Sequence, residues 1–203
     1  GGSHHGGTLT TAGNLVMQGR ANGELSVYAA DTGKKLWSFD AQNGIFGHPI
    51  TYLVEGKQYI SLLVGWRGFS QVENERWPYR QQKPRVLTFA LDGTQKLSAR
   101  QPQVELPVDD SGFVIDDAKA ELGMQVYSRN CNVCHGVGLY SGGAAPDLRY
   151  SPVPVNFDSF AAVLQGGVLK SRGMPQYEEM PKAEVEALQH FIRKAARAEV
   201  GDK

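Results

Sequence analysis

The stretch that most constrains this chain is Cys131-Asn132-Val133-Cys134-His135, two cysteines three apart with a histidine directly after the second. That spacing is the attachment signature for c-type haem. The two thiols add across the vinyl groups of one porphyrin edge. The adjacent histidine then falls beneath the iron as its proximal ligand. Both cysteines of the chain lie in this stretch, so no internal disulfide remains. No second cysteine pair or spaced histidine pair completes a tetrahedral zinc set. A thioredoxin-like dithiol wants a βαβ context, whereas the flanking sequence here has helical character.

Around the motif, residues 115–203 read as a small helical haem domain. Asp116-Asp117 opens a helix with acidic residues, as a helix N-terminus favours. Leu122, Val126 and Tyr127 give it one apolar face, and its end delivers Cys131 to the haem edge. A second helix is expected over 158–165, with Phe160, Val163 and Leu164 apolar and Gly166-Gly167 as its stop. Pro181 suits the first position of a third helix, on which Val185, Leu188, Phe191, Ile192 and Ala195 recur at helical spacing. Arg193, Lys194 and Arg197 near its end complement the helix dipole. Helix, haem motif, loop, helix, loop, helix resembles the plan of the all-α class I cytochromes c.

The sixth iron ligand must come from elsewhere in the chain. Met174, in Arg172-Gly173-Met174-Pro175, stands in a loop before the last helix, where glycine and proline bend the backbone enough to aim a side chain at iron. In cytochromes c a loop methionine so placed is the usual axial ligand, and a Met/His pair raises the potential. Met180 is the rival, although its place beside the last helix suits packing. Met124 and Met17 read as core residues, and His190 as solvated or on the face away from the haem. Pro146 resembles the proline whose carbonyl, in cytochromes c, holds the second ring nitrogen of the haem histidine. Arg149 and Arg172 are candidates for pairing with the haem propionates, because guanidinium matches carboxylate geometry. Each is equally compatible with a solvated position.

The first half reads differently. Leu15–Gln18, Leu25–Ala29 and Lys35–Phe39 are short strand-like runs separated by Asn22-Gly23 and Asp31-Thr32-Gly33. Pro49–Val54 and Gln58–Val64 pair around Glu55-Gly56-Lys57, a hairpin signal, and Arg85–Leu91 follows. The first three look like a blade missing its first strand, the second three like a blade missing its last. Propeller blades typically have four strands, and open sheet edges are avoided. The segment is therefore expected to need strands from a larger polypeptide or a companion chain.

Thr32-Gly33-Lys34-Lys35-Leu36-Trp37 resembles the tryptophan blade motif of the pyrroloquinoline quinone (PQQ) dehydrogenases, eight-bladed propellers in which each such tryptophan docks neighbouring blades. The aspartate usual a few residues earlier is replaced here by Ala29. Gly7–Val16 and Gly47–Tyr52, with Gln58-Tyr59 and Gly65-Trp66, also resemble the end of that propeller. With a haem motif downstream, the chain resembles the C-terminal part of the quinohaemoprotein alcohol dehydrogenases. The fold expected is multidomain: an incomplete all-β propeller over 1–98, a linker over 99–114 rich in proline and acidic residues, and a cytochrome c domain over 115–203. The linker either runs along the propeller surface or swings as a free tether. Gly65 and Trp66 are candidate PQQ contacts, since glycine lets backbone approach a cofactor closely. Phe69, Trp77 and Tyr79 are candidates for a substrate funnel or a face toward the cytochrome, and His48 reads as a loop residue.

What the resemblance implies is a periplasmic enzyme in which PQQ, held with calcium, oxidises an alcohol. Electrons then pass through haem c to an external acceptor, a small redox protein or a quinone. The family's catalytic base, calcium ligands and vicinal-cysteine disulfide have no counterpart here, so this stretch alone is not expected to oxidise alcohols. The other reading is a stand-alone electron-transfer cytochrome fused to a β-rich partner-binding module. With 21 basic and 21 acidic residues, nothing points to nucleic acid, and no apolar run approaches a membrane span. The opening Gly1-Gly2-Ser3-His4-His5-Gly6-Gly7 is no signal peptide; the expectation is that a signal was removed or that the chain is part of something longer. His4 and His5 read as a flexible or tag-like segment rather than a metal pair.

Overall fold

The computed structural model describes residues 6–66, 74, 76–79, 82–100, 108–143 and 145–201, without the side chains of 199–201. The chain divides into two compact units, Gly1–Gln103 with Gly142–Ala144, and Val104–Ser141 with Ala145–Lys203.

The first unit is built from two antiparallel sheets. Strands β1 (Thr8–Thr11), β2 (Leu15–Gly19), β3 (Glu24–Ala29) and β4 (Lys35–Asp40) pair in sequence order. Strands β5 (Ile50–Val54), β6 (Lys57–Val64) and β7 (Arg85–Ala90) do the same. The β5–β6 connection is a two-residue turn, Glu55-Gly56, with φ of 51° and 77°. Positive φ at both central residues is what a tight hairpin matching the strand twist demands. Leu25 of β3 and Leu62 and Val64 of β6 share one core with Ala41 and Ile45, and Phe39, Leu87 and Phe89 pack on it. Trp37 stacks on Phe39 (5.9 Å) and meets Phe89 of the other sheet edge-on (5.7 Å). It is therefore an inter-sheet contact, as its motif led one to expect.

One expectation needs correcting. The first sheet is a complete four-stranded blade, because Thr8–Thr11 pairs with Leu15–Gln18. The second has three strands among the described residues, as expected. Its face carrying Ile50, Tyr52, Val54, Leu63 and Val86 is apolar and exposed.

The second unit is helical. Helix α1 (Asp117–Asn130) is capped by Asp116, whose carboxylate accepts from the Lys119 N–H at 3.1 Å. The single turn α2 (Asn132–His135) follows directly. Helix α3 (Phe157–Leu164) is capped by Asn156, and α4 (Lys182–Gly201) closes the unit. Val126 and Tyr127 of α1 meet Phe160 and Leu164 of α3 and Val185, Leu188 and Ile192 of α4 in one core. At the α1–α4 crossing, a Cβ added to Gly123 would lie 2.0 Å from the Ala187 carbonyl oxygen, so the backbones approach too closely for a side chain there.

The helix readings are corrected in three places. Leu122 and Met124 are 40% and 48% exposed; the buried face of α1 uses Ala120 and Gly123 with Val126 and Tyr127. His190 is not simply solvated: its Nδ1 accepts from the Asp116 N–H at 3.0 Å and its ring lies 5.0 Å from that of Phe113. Arg193 does not stand at the helix end, since α4 runs on to Gly201 with no basic residue in its last turn; it is 1% exposed and paired with Asp110 at 2.8 Å. Asp110 also accepts from Arg197 at 3.1 Å, which ties the end of the connector to α4. Among the described residues no helix is long and apolar enough to cross a membrane.

Candidate haem centre

Helix α1 ends at Asn130, and Cys131 is at once its C-cap and the start of the next turn. The N–H groups of Cys134 and His135 both donate to the Cys131 carbonyl, at 3.2 and 2.9 Å. The turn thus holds both thiols and the imidazole as one rigid set. Cys131 is half-buried against the helical core, Cys134 is exposed, and both are free thiols. His135 is 8% exposed.

The ring of His135 is fixed by Pro146, whose carbonyl lies 2.8 Å from Nδ1. A carbonyl can only accept, so Nδ1 carries the hydrogen and Nε2 keeps the lone pair. Burial holds the imidazole pKa below its ordinary value, against the opposing pull of the Pro146 carbonyl and Asp147. The result is a neutral ring with one free nitrogen, the form that ligates a metal. Burial, helped by Cys134, pushes the Cys131 thiol up to about 11. No group of three or more His, Cys, Asp or Glu side chains suited to a metal ion occurs among the described residues. Two thiols on one turn beside an oriented neutral histidine fit a c-type haem.

The surrounding candidates fall as follows. Met174 sits between Gly173, at φ of 90°, and Pro175; it is half-buried and packs on the helical core. Met180 is buried in that core at the foot of α4 and accepts from Gln165 through its carbonyl at 2.7 Å. Arg149 lies in a buried pair with Asp147: Nη2 donates to Oδ2 at 2.7 Å and Nε to Oδ1 at 3.1 Å. Its guanidinium also covers the Tyr140 ring at 4.0 Å. The pair stiffens the short turn Leu148–Tyr150, which Asp147 caps next to Pro146. Arg172 is exposed, in the turn Lys170–Arg172.

In the sheet unit, Trp66 is 2% exposed and clusters with Ala21 and Trp77. Its Nε1 donates to Asn74 at 2.7 Å, and its backbone N–H to the Gln82 side chain at 3.0 Å. The Gly65 N–H donates to the Gly44 carbonyl at 2.8 Å. Trp77 is buried and donates to the Ala21 carbonyl at 2.7 Å, which makes it a core residue. Tyr79 is half-buried, and the His48 ring packs against Gly7. Phe69, His4 and His5 lie outside the described residues.

Residues 118–192 match the family described as cytochrome c oxidase, cbb3-type, subunit III. Residues 1–60 match the glucose/ethanol/alcohol dehydrogenase β-propeller domain. Over 93% of its length the chain is 38% identical to quinohemoprotein alcohol dehydrogenase ADH IIB of Pseudomonas putida, covering 28% of that protein. Over 96% it is 39% identical to quinohemoprotein alcohol dehydrogenase of Comamonas testosteroni, covering 27%. Over nearly all of its length the chain is similar to the C-terminal part of quinohaemoprotein alcohol dehydrogenases. It spans little more than a quarter of the length of the curated relatives it matches. Among solved quinohaemoprotein alcohol dehydrogenases, ADHIIG of Pseudomonas putida HK5 superposes with a TM-score of 0.81 at 35% identity, over 97% of this chain and 29% of the other.

Two residues around the Cys131–His135 motif carried no sequence signal. Tyr127 donates its hydroxyl to the Gly136 carbonyl at 2.6 Å, just after the haem histidine. Asp147 anchors Arg149. A tyrosine on an apolar helix face reads as packing, and only the fold shows where its hydroxyl ends.

Proposed function

We propose that this chain is the electron-outlet portion of a periplasmic PQQ- and haem c-containing alcohol dehydrogenase that oxidises alcohols to aldehydes or ketones. The observation that carries the proposal is the Cys131–His135 turn, with His135 oriented by Pro146, on one chain with blade-like sheets related to a PQQ-dehydrogenase propeller. When bound, PQQ with its calcium takes electrons from the alcohol, and haem c relays them singly to an external acceptor, a small redox protein or a quinone.

The assignment divides the chain into propeller strands over 1–98, a linker over 99–114 and the cytochrome over 115–203. Cys131 and Cys134 would hold the porphyrin through thioether bonds. His135, held in the right tautomer by Pro146, would offer its Nε2 to the iron, and Met174 would offer its thioether sulfur. Arg172, exposed on a turn of the Met174 loop, is free to reach a propionate. Arg149 is already engaged with Asp147, so its part toward a propionate is to share that charge or to brace the Pro146 turn. Gly65, without a side chain, would let PQQ approach the backbone, and Trp66, packed on Trp77 and bonded to Asn74, would support that wall.

The test is alcohol-dependent reduction of the haem in this chain joined to the rest of the propeller. Reduction should follow alcohol addition, vanish when PQQ is removed and return when PQQ and calcium are restored. Haem that stays oxidised under alcohol, in a protein loaded with PQQ and calcium, would leave the stand-alone cytochrome reading in its place.

A further inference from the structure

We infer that Tyr177 is a positioning residue that holds the Met174 loop in register with the haem-attachment turn; the inference rests on the reading of Met174 as the axial ligand. Tyr177 lies three residues after Met174 and packs its ring on the helical core. It is held at both ends. Its backbone N–H donates to the Leu164 carbonyl at the end of α3, at 2.7 Å. Its hydroxyl donates to the Asn130 carbonyl, at 2.8 Å. Asn130 is the last residue of α1, immediately before Cys131.

Other bonds brace the same loop. Gln176 donates to the Gln165 carbonyl at 2.9 Å, and Gln165 to the Met180 carbonyl at 2.7 Å. These fasten the loop to itself and to the end of α3. The Tyr177 hydroxyl does something different: it crosses to the segment that carries the haem cysteines and His135. The carbonyls of a helix's last turn have no intrahelical donor, so Asn130 has an acceptor to offer. One phenol therefore links the two chain segments that must stand on opposite faces of one iron.

A neutral thioether is a weak acceptor-type group, and its hold on iron depends on the surrounding structure keeping it in place. Any ligand that competes for its position must first let the loop swing out. Removing the strut makes that opening easier by about the worth of one hydrogen bond, roughly five- to tenfold in the opening equilibrium.

The experiment uses imidazole as the competing ligand on the haem-loaded, oxidised chain. Met174→Ala comes first: it should abolish the Met–iron absorption band, and persistence of the band shows that Met174 is not the ligand, a failure of the underlying reading. With that settled, Tyr177→Phe keeps the ring packing, keeps the band and should bind imidazole about five- to tenfold more tightly than the parent. Gln189→Leu removes a comparable side-chain-to-carbonyl bond, to Pro154 at 2.8 Å, and should leave imidazole affinity unchanged. An affinity within twofold of the parent in Tyr177→Phe overturns the inference. If the phenylalanine variant does not retain haem, 4-aminophenylalanine and 4-methylphenylalanine at 177 replace it. The first keeps a donor and should match the parent, the second should not, and equal affinities overturn the inference as well.

Discussion

Arg193 and Asp110 form the pair on which the end of the connector depends. The arginine is buried on α4, and its carboxylate partner comes from 83 residues earlier in the chain. Removing one member of a buried pair leaves an uncompensated charge, which costs about 3–5 kcal/mol. Asp110→Ala should therefore lower the unfolding free energy of the haem-loaded chain by about 3 kcal/mol, as measured by denaturant titration. Lys194→Ala, which breaks an exposed pair with Asp117, should cost about 0–1 kcal/mol. His190 gives a pH prediction. Burial first, then Lys119, hold its pKa below the ordinary value, while Asp116 and Glu186 pull the other way. Its neutral Nδ1 is the acceptor for the Asp116 N–H. A folded-state value below the unfolded one means this contribution is fully present above the ordinary imidazole value of about 6.5. It is lost as pH falls through the lowered folded value. Thermal unfolding of His190→Gln should accordingly show a shallower fall between pH 7 and 5 than the parent.

Helix α1 shows why some of its packing was hard to read. The apolar spacing identified a helix and placed Val126 and Tyr127 correctly, but it also chose Leu122. The fold instead rotates the helix so that Ala120 and Gly123 face α4. Small residues at a close crossing carry little hydrophobic signal, so periodicity counts the larger Leu122 in their place. The crossing yields its own prediction. A methyl at Gly123 would collide with the Ala187 carbonyl, so Gly123→Ala should destabilise the chain by about 1–3 kcal/mol despite its better helix propensity. Strand β1 was missed for a related reason. Thr8-Leu9-Thr10-Thr11 offers one large apolar residue, and its strand character comes from pairing with β2. The haem turn was legible because covalent chemistry fixes its spacing. Arg193 was not, because a buried cation is recognisable only once its distant partner is in place.

The whole chain combines a four-stranded sheet, a sheet with three strands among the described residues, and a helical unit. Strands β6 and β7 pack their other side through Leu62, Val64, Leu87 and Phe89, whereas β5 is exposed on both sides and, among the described residues, pairs with β6 alone. Joined to the remaining blades of the family's propeller, the outward amides of β5 should exchange hydrogen at least about tenfold more slowly than in this chain alone. Equal protection in both would count against the incomplete propeller. The turn around Asp109–Gly112 is polar and largely exposed, the sort of site proteases prefer. Cleavage, however, needs the segment to peel away, and peeling strips Arg193 of its carboxylate. That couples local opening to the loss of the helical core, so this inviting stretch should be among the last the chain gives up to digestion.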